Sequence, residues 1–96
     1  MYMKAKMYNY KGWVDIIDSQ KLKTDVENML LKSKFNILNF CEYTFAPYGY
    51  TAVWILAESH CAIHTFPEEN KTYIELTSCV KNKYEKFKDL IAEYRL

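Results

Sequence analysis

The sequence predicts a single α+β domain, a two-layer sandwich in which an antiparallel sheet carries both helices on one face. Its 96 residues suit one domain, and an apolar fraction of 50% with 17% aromatic residues is enough to form a core. Segments of β character follow one another through short turns in the second half of the chain, which favours antiparallel pairing. Helical spacing of apolar residues occurs before and after that block.

The first half of the chain predicts a strand, a helix and a second strand. Residues 2–10 alternate and suit a strand. Asp18 or Ser19 can cap a helix over 19–33, since the apolar residues that follow recur at helical spacing: Leu22, Val26, Met29 and Leu30. Residues 35–43 alternate again and predict the next strand.

The second half predicts three more strands and a final helix. The turn at 46–50, which contains a proline and a glycine, precedes 51–57, a segment apolar on both faces and typical of a central strand. Strands are also expected over 60–66 and 72–78, with a turn at 67–71 between them. From about Asn82, aromatic and aliphatic residues recur at three and four positions and predict a helix.

Composition excludes several functional classes. Thirteen basic and 12 acidic residues form no basic stripe, so we expect no nucleic-acid partner and no membrane partner. The N-terminus lacks the apolar block of a signal peptide, and the longest apolar run, 52–57, is too short to cross a bilayer. Three cysteines without a CxxC pair argue against a disulfide framework or a zinc ribbon. The chain is therefore expected to be soluble and cytoplasmic.

Residues 57–70, AESHCAIHTFPEEN, concentrate reactive side chains around a short apolar run. His60 and His64 would share one face of a helix, but this segment has strand character and ends at Pro67. Four residues of strand span about 13 Å, too far for two histidines to ligate one ion. We therefore expect no metal site here.

A serine hydrolase is also disfavoured. The GxSxG pattern is absent, and Ser59 and His64 would lie about 16 Å apart on an extended strand. A direct contact would need a sharp bend within one protomer, although two protomers could make it without one. Each reactive residue taken alone is more often structural: a turn serine, a hydrogen-bonded histidine, a packed cysteine. Only their combination argues for a function.

That combination resembles a known family. Glu58-Ser59-His60 ends an apolar strand, IHTFPE follows at 63–68, and TSC ends at Cys79. Upstream, the segment with Phe45, Pro47, Gly49 and Thr51 has matching spacing. These motifs are similar to the short bacterial and archaeal class of S-adenosylmethionine decarboxylase, over about residues 40–80.

The resemblance implies a pyruvoyl-dependent decarboxylase that cuts itself between Glu58 and Ser59. The hydroxyl of Ser59 would attack the Glu58 carbonyl to give an ester. Elimination and hydrolysis would then leave a covalent pyruvoyl cofactor at position 59 and two chains, 1–58 and 59–96. Its ketone would form a Schiff base with the substrate amine and withdraw electrons during loss of carbon dioxide.

The resemblance also implies a role for each site residue. His64 and the hydroxyl of Thr51 are expected to assist self-processing, and Cys79 is expected to be the general acid of decarboxylation. The expected substrate-binding residues are Glu68 and Glu58 for the ribose, Phe45 for adenine, Phe66, and Tyr2 as a second stacking partner. A homodimer of αββα form would share its sites, with Ser59 and Cys79 of one protomer meeting Thr51 and His64 of the other.

Some departures from the family pattern leave alternatives open. Thr51 replaces the usual serine, and Val80 stands where glycine is frequent. These departures leave Ser59, His64 and Cys79 in place, so they concern the substrate more than the reaction, and ornithine or arginine is the alternative substrate. An alternative of another class is a homologue that does not cleave and acts as a dimer partner or regulator.

Overall fold

A computed structural model describes residues 5–94 and contains five strands and two α-helices in that range. In chain order the elements are β1 (Tyr8–Val14), α1 (Ser19–Lys32), β2 (Ile37–Thr44), β3 (Tyr50–Leu56), β4 (Ser59–Phe66), β5 (Lys71–Ser78) and α2 (Lys81–Tyr94), with a short 3-10 turn at Pro67–Glu69. The strands form one sheet in the order β1-β5-β4-β3-β2, and every neighbouring pair is antiparallel.

The two faces of the sheet differ in burial. Along β5, the residues Thr72, Ile74, Leu76 and Ser78 are buried, and those between them are partly exposed. Because strand side chains alternate between faces, the buried set marks the face that the helices cover. The other face, called the open face below, carries the following residues of the three inner strands: Thr51, Val53 and Ile55; His60, Ala62, His64 and Phe66; Tyr73, Glu75 and Thr77.

Both helices pack on the covered face. Helix α1 begins after Asp18, whose carboxylate accepts the Lys21 N–H at 3.0 Å, a cap that stabilises by about 1 kcal/mol. Its buried residues recur at helical spacing, and they join the core cluster with Phe87 and Ile91 of α2. The indole of Trp54, fully buried in β3, donates to Glu27 of α1 at 3.0 Å and ties that helix to the sheet.

The predicted fold class is confirmed, since an antiparallel sheet carries both helices on one face. The bounds predicted for the first strand were wrong. Residues 5–7 lie outside regular structure, and β1 continues past Gly12 to Val14. The strand passes through Gly12 because Gly12 pairs opposite Ile74 of β5, which continues the ladder. In the described range, no helix is long and apolar enough to span a membrane.

Candidate active site

The hairpin between β3 and β4 turns in two residues, Ala57 and Glu58, so that Leu56 faces Ser59. Glu58 has a φ of 70°, in the left-handed region that favours glycine. Holding a residue with a side chain in this region costs on the order of 1–3 kcal/mol, and such outliers concentrate at functional sites. The backbone is therefore strained at the residue that supplies the carbonyl of the 58–59 peptide bond.

The thiol of Cys79 lies against that same carbonyl. The β4–β5 register places Ser78 opposite Ser59, and the chain then leaves the sheet through Cys79. Cys79 Sγ donates a hydrogen bond to the carbonyl oxygen of Glu58 at 3.0 Å. A donor on this oxygen polarises the carbonyl and stabilises negative charge that develops on it.

The hydroxyl of Ser59 is buried and has no hydrogen-bond partner among residues 5–94. Buried hydroxyls are usually bonded, because leaving one unpaired costs about 1–3 kcal/mol. Ser59 therefore combines an unengaged oxygen with a peptide carbonyl that is strained and polarised. These are the features that an intramolecular nucleophile needs.

A second cluster forms around His64, near the opposite end of β4. Thr51 of β3 pairs directly with His64, and Thr51 Oγ1 lies 3.0 Å from His64 Nδ1. On the other side, Tyr73 of β5 pairs with His64 and stacks on its ring at a centroid distance of 6.3 Å. The imidazole is thus held between two strands by its Nδ1 edge, which leaves Nε2 for another partner.

The two clusters do not meet within one chain. Ser59 is the first residue of β4 and His64 is the sixth, a separation of about 16 Å along a strand. The two positions also differ in parity, so their side chains leave the sheet on opposite faces. Within one chain, Ser59, Glu58 and Cys79 come together, and so do Thr51 and His64, but neither group reaches the other.

Beside His64 the chain forms a cleft of about 290 Å³. Five of the site residues predicted from the sequence line it: Phe45, Thr51, His64, Phe66 and Glu68. The turn after β2 shapes one wall, because Gly49 has a φ of 110° and its carbonyl accepts the Phe45 N–H at 2.8 Å. Glu58 lies away from this cleft at the other hairpin, and Tyr2 lies outside the described residues.

Several residues around the cleft were not predicted from the sequence. Tyr48 and Tyr50 line it, and the Tyr50 hydroxyl donates to Glu42 of β2. Desolvation, and then the bond to Glu42, raises the pKa of Tyr50. The bond from Tyr50, helped by Lys23 of α1 at 3.3 Å, lowers the pKa of Glu42. No motif marks these contacts, since they depend on how β2, β3 and α1 pack.

Two further observations concern cysteine and metal chemistry. Burial raises the pKa of the Cys61 thiol, with a smaller contribution from Glu75, so Cys61 acts as a core residue. Across residues 5–94, no three His, Cys, Asp or Glu side chains gather in a geometry that could ligate a metal ion.

Comparison with known proteins gives the same family that the motifs resemble. A profile of the S-adenosylmethionine decarboxylase family matches residues 7–94. An S-adenosylmethionine decarboxylase proenzyme 2 of Bacillus cereus is 43% identical over 44 residues, which cover 46% of this chain and 36% of that protein. A proenzyme of Thermosipho africanus is 30% identical over 66 residues, or 68% of this chain and 51% of that protein. The matched segment thus spans about half or less of these relatives.

The fold has a close match among solved structures. The crystal structure of the adenosylmethionine decarboxylase from Aquifex aeolicus superposes with a TM-score of 0.78 at 22% identity, covering 97% of this chain and 82% of that one. At this identity the match supports the fold, and the profile over residues 7–94 supports the ancestry. This chain belongs to the S-adenosylmethionine decarboxylase family.

Proposed function

We propose that the chain is a proenzyme that cuts its own 58–59 peptide bond and then decarboxylates S-adenosylmethionine. The observation that carries this proposal is the hydrogen bond from Cys79 to the Glu58 carbonyl, next to the buried hydroxyl of Ser59, which has no partner within residues 5–94. The names of the relatives, which are decarboxylase proenzymes, support the same activity. The proposed products are residues 1–58 and residues 59–96.

The first step is an acyl shift at the β3–β4 hairpin. Ser59 Oγ attacks the Glu58 carbonyl carbon through a five-membered ring, the C–N bond breaks, and the hydroxyl proton ends on the freed amine of Ser59. Cys79 stabilises the negative charge that forms on the Glu58 oxygen, since its thiol already donates to that oxygen. The ester keeps the chain joined, so the left-handed strain at Glu58 is released only when the later elimination parts the two chains, and its release favours the overall reaction.

The second step is elimination across Cα and Cβ of Ser59. A base removes the Cα proton, and the ester oxygen leaves with the Glu58 acyl group as a carboxylate. His64 of a second copy is the proposed base: in the tautomer whose Nδ1–H donates to Thr51 Oγ1, Nε2 carries the free lone pair. Tautomerisation and addition of water then release ammonia and leave the pyruvoyl group at position 59.

The residues at the hairpin fit a pyruvoyl group at this position. When present, that carbonyl takes up the substrate amine and withdraws electrons as carbon dioxide leaves. Cys79 adjoins the 58–59 bond, so its thiol is placed to return a proton to the substrate carbon after decarboxylation.

A homodimer completes the proposed site. Ser59 and His64 are separated by about 16 Å in one chain, so a complete set of residues needs a second copy. The open face supplies a surface for it, since Trp13, Ile55 and Phe66 are exposed there at 44%, 49% and 36%. Packing two open faces together gives the four-layer αββα arrangement, in which His64 of the second copy would approach the Cα proton of Ser59 and not its hydroxyl, since that hydroxyl lies on the covered face. A cytoplasmic location remains a prediction.

The cleft beside His64 supports an adenosyl substrate. Phe45 and Phe66 offer aromatic faces for the base, and Glu68 offers a carboxylate for the ribose hydroxyls. Glu58 is the proposed second acid and, in the dimer, lies on the protomer that supplies Ser59. Neither ornithine nor arginine has groups that would use an aromatic wall and a ribose-binding acid together.

The test is release of labelled carbon dioxide from S-adenosylmethionine, ornithine and arginine in parallel assays. Purified wild-type protein is expected to act on S-adenosylmethionine, and Ser59→Ala is expected to be inactive. Phe45→Leu is expected to raise KM for S-adenosylmethionine while leaving self-cleavage unchanged. Activity on ornithine or arginine alone would replace the proposed substrate, and an uncut chain with no activity would favour a regulator.

A further inference from the structure

Ser78 is a buried polar residue for which the proposed reaction has no use so far. It is the last residue of β5, its side chain is fully buried, and it lies on the covered face of the sheet. The β4–β5 ladder pairs it directly with Ser59. Directly opposite residues have Cβ atoms about 4.5–5.5 Å apart and share a face, so the two hydroxyls are neighbours.

The Ser78 hydroxyl also closes the turn that contains Cys79. Ser78 Oγ accepts the Val80 N–H at 3.0 Å and donates to the Val80 carbonyl at 3.4 Å. The residue between them is therefore held from both sides just before α2 begins. A side-chain bond to the backbone two residues on is a typical way in which serine fixes a turn. This turn aims the Cys79 thiol at the Glu58 oxygen.

The surroundings of Ser59 make Ser78 distinctive. On its other side, Ser59 pairs with Leu56 of β3, which offers no polar atom in its side chain. Among the residues that the structure describes, the buried hydroxyl of Ser59 has no bonded partner. Ser78 is therefore the hydroxyl that the sheet register places next to the nucleophile.

We propose that Ser78 is a positioning residue for self-cleavage, an inference that rests on the proposed function of Ser59 and Cys79. By closing its turn, Ser78 keeps the Cys79 donor on the Glu58 carbonyl. From its place across the ladder, it offers a polar neighbour that favours the rotamer of Ser59 needed for attack. It belongs to the acyl shift and not to the later elimination.

The test uses full-length chain carrying Ser78→Ala, with Ser78→Thr to restore the hydroxyl. A matched control is Thr72→Val, which removes another fully buried hydroxyl on the same strand and face, one that bonds Ile16 instead. We expect Ser78→Ala to slow cleavage about tenfold or more, Ser78→Thr to recover much of the rate, and Thr72→Val to leave it unchanged. Thermal denaturation checks that each variant folds.

Hydroxylamine separates the two steps. It cleaves an ester, so a variant blocked only in elimination would give fragments with serine at position 59. Because the inference places Ser78 in the acyl shift, hydroxylamine should not restore fragments from Ser78→Ala. Wild-type cleavage rates in folded Ser78→Ala would overturn it while leaving the proposed function standing, and restoration by hydroxylamine would overturn the assignment to the first step.

If the wild-type protein does not cleave, that result counts against the proposed function itself. The positioning role of Ser78 can still be tested on the uncut chain by measuring how readily the Cys79 thiol is alkylated. Cys79 and Cys41 are both exposed thiols, so Cys41 serves as the internal reference for alkylation by iodoacetamide. Ser78→Ala should raise the ratio of Cys79 to Cys41 alkylation several-fold, because the turn no longer holds the thiol on Glu58. An unchanged ratio would show that Ser78 does not position Cys79.

Discussion

Two inactive variants should restore each other if the site is shared between protomers. Ser59→Ala removes the nucleophile, and His64→Ala removes the proposed base. These residues lie at opposite ends of β4, about 16 Å apart and on opposite faces. In a mixed dimer, the His64→Ala chain keeps its own Ser59 and can receive His64 from the Ser59→Ala chain. One of the two sites in that dimer is therefore intact.

The expected extent of restoration follows from the symmetry. In a two-fold dimer, each of the two sites combines the Ser59 group of one protomer with the His64 group of the other. If the two variant chains are present in equal amounts and pair at random, about half of the dimers are mixed. About half of the His64→Ala chains should then be cut, and none of the Ser59→Ala chains. A site built within one chain would give no cut His64→Ala chains at all.

The assay is co-expression followed by mass spectrometry, which distinguishes the 59–96 fragments of the two variants. Co-expression of Ser59→Ala with Cys79→Ala is the control, since both residues belong to the same half of the site. That pair should not accelerate cleavage of the Cys79→Ala chain. Failure of the Ser59→Ala and His64→Ala pair, in protein shown to form mixed dimers, would refute the shared site.

The remaining predictions concern single contacts. Cys79→Ala should slow self-cleavage about tenfold, because the carbonyl of Glu58 loses its hydrogen-bond donor. A time course on denaturing gels measures the rate, and an unchanged rate would show that the thiol has no part in that step. Because the bond from Tyr50 lowers the pKa of Glu42, that carboxylate stabilises the fold above its usual pKa of 4.5, and the contribution disappears as the pH falls through the lowered value. Glu42→Gln should therefore lower Tm at pH 7, and this loss should shrink as the pH falls below about 4.5, whereas a loss that does not change with pH would contradict the assignment. Phe87→Ala should cost about 3–5 kcal/mol in urea denaturation, since Phe87 is fully buried, and a loss below about 1 kcal/mol would show that α2 packs differently.

The sequence predicts most of the fold because its periodicity is strong. Leu22, Val26 and Leu30 mark one face of α1, and the alternation over 72–78 marks both faces of β5. The end of β1 could not be predicted, because Gly12 weakens a strand by itself and only pairing with β5 extends the strand to Val14. Pairing between distant segments is decided by the whole sheet and not by local residues.

For the site as well, local sequence predicts some features, and others depend on pairing between distant strands. The sequence motif identifies Ser59, His64 and Cys79 as site residues. The spacing of residues along a strand is enough to predict that Ser59 and His64 lie far apart within one chain. The contact of Cys79 with Glu58 joins residues 21 positions apart, so it depends on the β4–β5 register, which no local motif reveals. The left-handed backbone of Glu58 was also unpredictable, because glutamate does not ordinarily mark such a position.

Intact-mass spectrometry of the purified chain tests the central claim most directly. Two fragments that meet at the 58–59 bond are expected. The second fragment should be lighter than a fragment with an N-terminal serine by the mass of one ammonia molecule, and it should have no free amine at its N-terminus. Ser59→Ala should remain whole. A wild-type chain that stays intact after prolonged incubation, or that breaks at another bond, would contradict the account.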